Sequence, residues 1–304
     1  TVLTVSDGTA VVAQRTVTIP GGETHEERLV VTPWRAGFLS YSAKAQAVQG
    51  DTRPDNDVDY AGVEVKEPDT FKILFLGAHL GWEYRFLKIL ADSNQQLSLA
   101  AVIQTGPTNV YEIGMTEDGG DEGQREALPK DAATFNRFEA ILLDTRATPL
   151  LGPEGIEALL TFVDRRGGGL LLFGPQDVLP APLLDLLPTP VTAAGSLTRS
   201  QRLSTNSEFI FDRDPAQALD TPGGLPIAPG GPVWLTPTLK RSAREAAGIR
   251  YAQSTVLSAQ SYGSGRSAYL GLEATWRWRL GDASTEAGHS AFWNSLLVWL
   301  ASSS

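Results

Sequence analysis

The strongest constraint on the fold is a change in the pattern of apolar residues near Pro68. Before this point, short runs rich in Val, Thr and Tyr alternate with turn residues, and none of them has a helical period. The runs predict five strands, at residues 2–5, 10–19, 26–32, 37–48 and 58–65. Residues 1–68 are therefore predicted to form a small immunoglobulin-like β-sandwich, and we expect its first strands to lie before Thr1.

After Pro68 the pattern changes to strands that alternate with helices. Apolar runs predict strands at residues 71–78, 97–104, 140–144, 169–173, 253–261 and 267–273, and helices at about 81–93, 131–138, 153–166 and 287–301. Such alternation predicts a mostly parallel sheet that helices cover on both faces, so residues 69–304 are predicted to form an α/β domain. Residues 175–237 are rich in Pro and Gly and irregular, apart from a hairpin predicted at about 201–211.

Charge and cysteine content exclude several classes of function. A net charge of -10 argues against nucleic acid or an anionic membrane surface as partner, because both require a positive field. The absence of cysteine excludes disulfides, thiolate metal sites and cysteine nucleophiles. No apolar run approaches the roughly 20 residues that span a bilayer, and no signal peptide is present. Because the chain starts inside a predicted strand and has one methionine, Met115, we expect a fragment whose membrane anchor lies outside it.

Two indoles and two guanidiniums follow the last predicted strand, at Trp276, Arg277, Trp278 and Arg279. Open α/β sheets place ligands at strand ends, and these side chains offer apolar surface and hydrogen-bond donors to a ligand. The alternative is packing, in which alternate residues face opposite sides, both indoles lie under a helix and both guanidiniums pair with acidic groups. From this segment alone, packing is the favoured interpretation.

Three segments carry a family resemblance: GWEYRFL at 81–87, DRRGGGLLLFG at 164–174 and GLEATWRWR at 271–279. They resemble the class I glutamine amidotransferase-like domains of uncharacterised bacterial membrane proteins, which a β-sandwich often precedes. The resemblance covers about residues 69–304 and implies a flavodoxin-like fold. It also implies a position on the extracytoplasmic face of the cytoplasmic membrane. The partners it implies are other parts of a longer membrane-anchored chain or other membrane proteins, and a small-molecule ligand is a further candidate.

The catalytic pattern of that family is lost in this sequence. Active members carry a G-x-C-x-G nucleophile elbow and a later G-x-Q-F-H-P-E motif. The cysteine position is taken by Leu172, or by Phe173 with a one-residue shift, while Thr275 takes the histidine position and Arg277 the glutamate position. These residues can supply neither a nucleophile nor an oriented base, so glutamine hydrolysis by the family mechanism is excluded.

Polar side chains that follow the strands are nevertheless predicted to converge on the former active site. His79 beside Glu83, with Asp144 opposite, could form a base, an orienting group and an acid. The simpler interpretation, which we favour, is an ion pair of Glu83 with Arg277 or Arg279 that fixes the loops. The predicted ligand or partner cleft comprises Trp82, Glu83, Arg85, Arg146, Gln176, Glu273, Thr275, Trp276, Arg277, Trp278 and Arg279.

The sequence predicts neither a metal site nor a cofactor. The three histidines, His25, His79 and His289, share no ligand spacing, and His289 is predicted to be a surface or capping residue of the last helix. The Asp-rich segment 51–59 fails the calcium-loop pattern and is predicted to be a turn. Residues 263–268 match a loose dinucleotide motif but lead into a strand, which favours a hairpin turn. The acidic run 117–123 is predicted to be a solvated loop or a lid.

Three functions are consistent with these observations. The first, favoured because of the lost triad, the attached sandwich and the Trp-Arg run, is a non-catalytic module that binds a ligand or partner at the former active-site cleft. The second is an enzyme of altered chemistry, a hydrolase or isomerase acting on a sugar or peptide through His79, Glu83 and Asp144. The third is a structural spacer, in which the Trp-Arg run serves only for packing.

Overall fold

The computed structural model of this chain divides into two compact units, Thr1–Asp69 and Thr70–Ser304. The structure describes residues 1–20, 22–31, 33, 37–47, 50, 52–53, 56–65, 70–115, 123–125, 130–190, 195–196, 203–205, 232–234, 239–241, 243–249, 254–281 and 283–302. The predicted lid at 117–123, apart from Gly123, lies outside these residues, as do Asp51 and Asp55 of the predicted turn.

The described part of the first unit is all-β, as predicted. It forms a four-stranded antiparallel sheet in the order β2-β1-β3-β4, and the strands are β1 (Val2–Ser6), β2 (Val11–Thr16), β3 (Gly37–Ala45) and β4 (Val58–Val65). The predicted strand at 26–32 is wrong for residues 26–31, which join no sheet. Glu27 instead meets β2 through its side chain, in a 2.6 Å ion pair with Arg15. The described residues of this unit form one sheet, and the second sheet of a sandwich stays a prediction.

The second unit is an α/β domain, which confirms the predicted class. Its helices are α1 (Trp82–Asp92), α2 (Ala132–Phe135), α3 (Thr148–Asp164), α4 (Trp276–Arg279) and α5 (Ala283–Ala301). Its strands are β5 (Phe71–Gly77), β6 (Leu97–Gln104), β7 (Val110–Ile113), β8 (Gly123–Arg125), β9 (Ala140–Asp144), β10 (Gly169–Phe173), β11 (Gly195–Ser196), β12 (Leu203–Thr205), β13 (Pro232–Val233), β14 (Ala243–Ile249), β15 (Ser254–Tyr262) and β16 (Gly265–Leu270). Within the described residues, ten strands form one sheet in the order β12-β14-β15-β16-β10-β9-β5-β6-β7-β8, and β11 pairs with β13.

The centre of the large sheet is parallel and its two sides are antiparallel. Strands β16, β10, β9, β5 and β6 pair in parallel, whereas β7, β8, β12, β14 and β15 join through antiparallel ladders. The hairpin predicted at 201–211 is wrong for β12, because this strand pairs with β14 about 40 residues later instead of with its neighbour in the chain. Residues 206–211 lie outside the described residues.

Alternate residues of the central strands pack into two separate apolar layers, one on each face of the sheet. Ile73 and Phe75 of β5 belong to the layer that contains residues of α1 and α5. Leu74 and Leu76 belong to the layer that contains residues of α2 and α3. This two-sided burial explains why the sequence of each central strand is a continuous apolar run instead of an alternating one.

The chain order of the parallel strands creates a crevice between β5 and β9. From β5 the chain passes through α1 to β6 on one side, and it later returns to β9 on the other side of β5. The connections therefore leave the carboxyl ends of β5 and β9 in opposite directions, which opens a space between them. His79 follows β5 and Asp144 ends β9, so this topology places both at the crevice.

Candidate functional site

A cavity of about 370 Å³ lies at the carboxyl ends of β5, β9, β10 and β16. Its lining includes His79 after β5, Asp144 at the end of β9, Phe173 at the end of β10 and Glu273 after β16. Five further residues of the predicted cleft also line the cavity: Trp82, Glu83, Arg146, Trp276 and Arg277. The structure therefore brings most of the predicted cleft together around one space.

Arg146 joins two carboxylates on one side of the cavity. Its guanidinium donates from Nε to Asp144 Oδ1 at 2.8 Å and from a terminal nitrogen to Asp144 Oδ2 at 2.9 Å. Its other terminal nitrogen lies 2.5 Å from Glu273 Oε1. Asp144 is buried and also accepts the backbone N–H of Arg146 at 3.0 Å, at the start of the short 3-10 helix Thr145–Ala147. A carboxylate held by a bidentate fork is suited to orienting a neighbour rather than to transferring a proton.

His79 lies close to this ion-pair cluster but is open to solvent. Its Nδ1 is 4.0 Å from Asp144 Oδ2, and its side chain is 59% exposed. His79 and Glu83 line the same cavity, which is the shared cleft that the enzymatic hypothesis requires.

Glu83, in the first turn of α1, accepts hydrogen bonds from two uncharged donors. The Thr275 hydroxyl donates to Oε2 at 2.7 Å, and the backbone N–H of Trp276 donates to Oε1 at 3.2 Å. The Thr275 oxygen in turn accepts the indole N–H of Trp293 at 2.9 Å. Burial raises the pKa of Glu83 to about 7 despite these bonds, and the charge of Glu273 adds to the rise. The carboxyl therefore titrates near neutral pH, as groups in functional sites often do.

The predicted ion pair of Glu83 with Arg279 is wrong, because Arg279 binds α5. Its guanidinium donates to the Ser290 hydroxyl at 2.6 Å and lies 3.2 Å from Glu286. Arg277 lies over the indole of Trp276, 5.1 Å from the ring centroid. The packing interpretation assumed that alternate residues of the Trp-Arg run face opposite sides, whereas this run forms the helical turn α4, in which neighbouring side chains are about 100° apart.

The two tryptophans of this run have different environments. Trp278 is buried and packs edge-on against Phe292 of α5. Trp276 is partly exposed and stacks on Trp82, with ring centroids 5.8 Å apart and planes at 28°. Arg85 lies over the Trp82 ring at 5.2 Å, as Arg277 does over Trp276. We call Trp82 and Trp276, with these two arginines, the tryptophan rim of the cavity.

The remaining predicted cleft residues lie outside the cavity lining. Gln176 is fully buried, and its amide donates to the Thr189 hydroxyl at 3.1 Å. Arg85 lines a neighbouring groove on the surface of α1. Thr275 is buried behind Glu83, and Trp278 and Arg279 face α5. Arg85 is exposed on α1, whereas the other side chains point into the protein or across to another helix.

The structure shows the surroundings of the two residues that the family resemblance aligns with a nucleophile, Leu172 and, with a one-residue shift, Phe173. Leu172 is fully buried in the layer that contains α3, on the opposite face of the sheet. Phe173 lies in the layer that contains α1 and lines the cavity. Gly174 follows with φ of 98°, and a Cβ at this position would lie 3.2 Å from Asp144 Oδ1, so the turn after β10 packs tightly against the buried carboxylate.

Two aromatic residues of the cavity, Phe75 and Tyr84, are absent from the cleft predicted from the sequence. Phe75 lies near the end of β5, and Tyr84 lies on the first turn of α1. Because alternate strand residues share a face, Phe75 could have been found from its spacing relative to the end of β5. Tyr84 carries no such signal, since only the packing of α1 on the sheet brings it there.

His289 is buried, which contradicts the predicted surface or capping position. The last helix begins at Ala283 instead of near residue 287, so His289 lies within it and its ring contacts Phe86 edge-on at 6.3 Å. Neither ring nitrogen has a hydrogen-bond partner among the described residues. Burial, and then the charge of Arg279, lowers the pKa of His289 to about 4. Within the described ranges, no group of His, Asp and Glu could hold a metal ion.

The hydroxyl of Thr275 gives a first testable prediction. Thr275→Val keeps the shape of the side chain but leaves the Trp293 N–H and the Glu83 carboxyl without their partner, and should lower the free energy of unfolding by about 1–3 kcal/mol. Chemical denaturation measures this difference. Thr108→Val, in an exposed loop, makes the same chemical change and should shift the value by less than about 0.5 kcal/mol. Equal losses in both variants would show that the bridge contributes nothing.

Comparisons with known proteins support the fold of the second unit. No protein-family model and no curated protein sequence matches the chain. Among solved structures, it is similar to cytoplasmic protein STM1381 from Salmonella typhimurium LT2, with TM-score 0.51 and 14% identity over 75% of this chain and 99% of that one. Cytoplasmic protein STM3548 from Salmonella typhimurium matches with TM-score 0.49 and 13% identity over 75% and 98% of the two chains.

A third similar structure, from Thermoplasma acidophilum, is described as a GMP synthase subunit, with TM-score 0.37 and 10% identity over 75% and 92% of the chains. At such identities a structural likeness reports on the fold and not on the activity. In the part of the chain that the structure describes, no helix is both long and apolar enough to span a membrane. The similarity to STM1381 thus establishes a shared α/β fold for the greater part of this chain.

Proposed function

We propose that residues 70–304 form a non-catalytic module of amidotransferase-like fold that binds a small molecule in the cavity at the carboxyl ends of β5, β9, β10 and β16. One observation carries the proposal: the cavity is present at the crevice of the sheet, but it is lined by Phe173, which the family resemblance, with a one-residue shift, aligns with the nucleophile. A volume of about 370 Å³ lies within the range of small-molecule sites.

The residue in the former histidine position supports a binding role over catalysis. The Thr275 hydroxyl donates its proton to Glu83 and accepts the Trp293 N–H, so both of its functions are taken up by the protein. Thr275 is also buried, away from the cavity surface. A buried hydroxyl outside the cavity lining lacks the access to a substrate that a nucleophile requires.

Ligand screening on the whole chain tests the proposal. A panel of amino acids, saccharides, nucleosides and small amines should contain a compound that binds one to one and raises the melting temperature. Ala274→Trp, which adds bulk to the cavity wall, should weaken binding at least tenfold, while Leu280→Trp at an exposed position outside it should not. NMR shifts of the Trp276 indole N–H locate the site independently. Failure of the whole panel, or unchanged binding to Ala274→Trp, would contradict the proposal.

An acid-base enzyme is the second candidate, because Glu83, with a pKa of about 7, shares the cavity with the exposed His79. Turnover of amide, ester or glycoside substrates by the purified chain would support it. Such turnover must disappear in Glu83→Gln while the circular dichroism spectrum stays unchanged. In that event the enzyme replaces the binding module as the function of this cavity.

We also propose that the module belongs to a membrane-anchored protein and lies on its extracytoplasmic face, where it contacts other parts of that protein or membrane partners. The resemblance of residues 81–87 and 164–174 to domains of bacterial membrane proteins supports this. In native cells, an antibody against this chain should detect it in the membrane fraction, and protease added outside spheroplasts should degrade it. Recovery in the soluble, protease-protected fraction would contradict the proposed location.

A further inference from the structure

We infer that Glu83 is a proton-dependent link between α1 and α4, which holds the two halves of the tryptophan rim together when its carboxyl is neutral and loosens them when the carboxyl is ionised. The inference rests on the proposed binding function and specifies how access to that site is regulated. It comes from the elements that this side chain joins, from the uncharged groups that hold it, and from its burial.

The carboxyl of Glu83 connects the two elements that carry the rim. It lies in the first turn of α1, next to Trp82 in the chain, and binds the Thr275 hydroxyl and the Trp276 backbone N–H. Thr275 directly precedes α4, and Trp276 is the first residue of α4. Because Trp82 and Trp276 both line the cavity, a change in the distance between α1 and α4 changes the width of the cavity.

The contacts of Glu83 fit both charge states of its carboxyl. The ionised form accepts from Thr275 at 2.7 Å and from Trp276 at 3.2 Å. The neutral form keeps one oxygen as acceptor for the Trp276 N–H and can donate its own O–H to the Thr275 oxygen. That oxygen has two acceptor positions, and the indole N–H of Trp293 occupies one of them. Protonation therefore leaves the link in place, and the two states differ in the cost of holding the charge.

The ionised state is the less favourable one while the link is closed. Glu83 is half-buried, and a hydroxyl and a backbone N–H hold its oxygens, so the charge is removed from water and meets only dipoles at these two contacts. Burial, and to a smaller extent the charge of Glu273, raises the pKa of the carboxyl to about 7. Separation of α4 from α1 returns the carboxyl to water, so loss of the proton favours separation.

Other charged and titratable groups face the link from four segments. Those that line the cavity with Glu83 are His79, Asp144, Arg146, Glu273 and Arg277. Arg146 pairs with both acidic groups of this set, and Arg277 lies over the ring of Trp276. On α5, His289 contacts Phe86, about one turn along α1 from Glu83, and burial lowers its pKa to about 4. His289 is therefore neutral in the folded protein over the range in which Glu83 titrates.

Linkage gives the direction and the range of the effect. The closed link has a pKa of about 7, and the open link has the ordinary value of 4.5. Between these values the closed form keeps a proton that the open form has lost. The ratio of open to closed protein should therefore rise about tenfold for each pH unit from 4.5 to 7 and level off above 7. Access to the cavity should increase in the same range.

Hydrogen exchange of the Trp276 backbone N–H, followed by NMR on the ligand-free chain, tests this inference. This N–H donates to Glu83 and exchanges when the link opens. Exchange catalysed by hydroxide alone becomes about tenfold faster per pH unit, and opening should bring the rise to about a hundredfold per unit from pH 4.5 to 7. The Thr134 N–H, which donates to the exposed Asp131 carboxylate at 2.7 Å, should show only the tenfold rise, because its hydrogen bonds lower the pKa of Asp131 from 3.8.

Two variants assign the effect to one group. Glu83→Gln keeps the shape of the side chain but does not titrate, so the Trp276 N–H should then show only the tenfold rise. His79→Gln removes the exposed imidazole of the lining and should keep the hundredfold rise. A tenfold rise for Trp276 in the unaltered chain, or a hundredfold rise that persists in Glu83→Gln, would overturn the inference. The comparison of Trp276 with Thr134 requires no variant, so it decides the matter even if Glu83→Gln does not fold.

The exchange experiment is independent of ligand binding, so its outcomes separate this inference from the proposed function. A hundredfold rise together with failure of the whole ligand panel would overturn only the proposed function. A tenfold rise together with a compound whose binding is sensitive to Ala274→Trp would overturn only the link.

Discussion

Replacement of Arg146 by methionine should lower the free energy of unfolding by about 3–5 kcal/mol, the usual cost of removing one partner from a buried ion pair. Methionine keeps much of the apolar volume, so the loss comes from the two carboxylates. Asp144, with a side chain only 3% exposed, would lose a bidentate partner, and Glu273 would lose its contact at the same time. Denaturant titration at pH 7.5 measures this difference.

Arg166→Met is the matched control for this experiment. The Arg166 side chain is 30% exposed, close to the 32% of Arg146, but its carboxylate partner, Glu139, is 33% exposed and 3.7 Å away. Pairs of this kind contribute about 0–1 kcal/mol. The contrast between the variants therefore compares the loss of a buried carboxylate's partner with the loss of a partly exposed carboxylate's partner. Losses of the same size in both proteins would show that Arg146 does not compensate a buried charge.

The second large effect is on the pH dependence of stability, where Glu83 and His289 act in opposite directions. The folded protein holds the pKa of His289 at about 4, against an ordinary value of 6.5, so between these pH values the unfolded chain binds more protons. Stability contributed by neutral His289 is therefore complete above pH 6.5 and is lost as the pH falls toward 4. The full change is on the order of 3 kcal/mol, at about 1.4 kcal/mol for each pKa unit.

Glu83 changes the stability with pH in the opposite direction. Its folded pKa of about 7 lies above the ordinary 4.5, so between these values the folded protein binds more protons than the unfolded chain. Stability associated with this group is complete below pH 4.5 and is lost as the pH rises toward 7, again by about 3 kcal/mol. Over the shared range, from 4.5 to 6.5, the two contributions should nearly cancel.

Single variants should reveal the two opposing pH dependences of stability, because each variant removes one of the groups that cancel. In Glu83→Gln, stability should rise between pH 4.5 and 6.5 by about 1.4 kcal/mol per pH unit more than in the unaltered protein. In His289→Phe it should fall by a similar amount per unit. Urea titrations at several pH values measure both slopes, and Glu154→Gln, which removes an exposed carboxyl, should leave the slope unchanged. Parallel profiles for all of these proteins would mean that neither Glu83 nor His289 titrates differently in the folded and unfolded states.

The sequence predicts the centre of the α/β sheet well because each parallel strand is buried on both faces. A continuous apolar run such as 71–77 or 169–173 has few alternatives to that environment. Outer strands such as β7 and β14 were missed, since their residues are mixed in polarity and their pairing depends on a neighbouring strand. The local sequence pattern does not show which neighbouring strand is available for pairing.

At the candidate site, the sequence predicts which residues meet but not how they pair. The carboxyl ends of parallel strands share one edge, so His79, Asp144 and Glu273 could be grouped from strand ends alone. The predicted pairing of Glu83 with Arg279 was wrong for two reasons. Residues 276–279 form a helical turn, and α5 begins earlier than its apolar pattern indicates. Helix boundaries of that kind are set by contacts with distant residues.

The stacked indoles of the tryptophan rim give the protein an intrinsic spectroscopic probe of conformational change. Trp82 lies on the helix that follows β5, Trp276 lies on the helical turn that follows β16, and both line the cavity. Indoles 5.8 Å apart at an angle of 28° are close enough for their electronic transitions to couple. Exciton circular dichroism then reports the relative position of α1 and α4, and a ligand that draws them together or apart changes that signal without any added label.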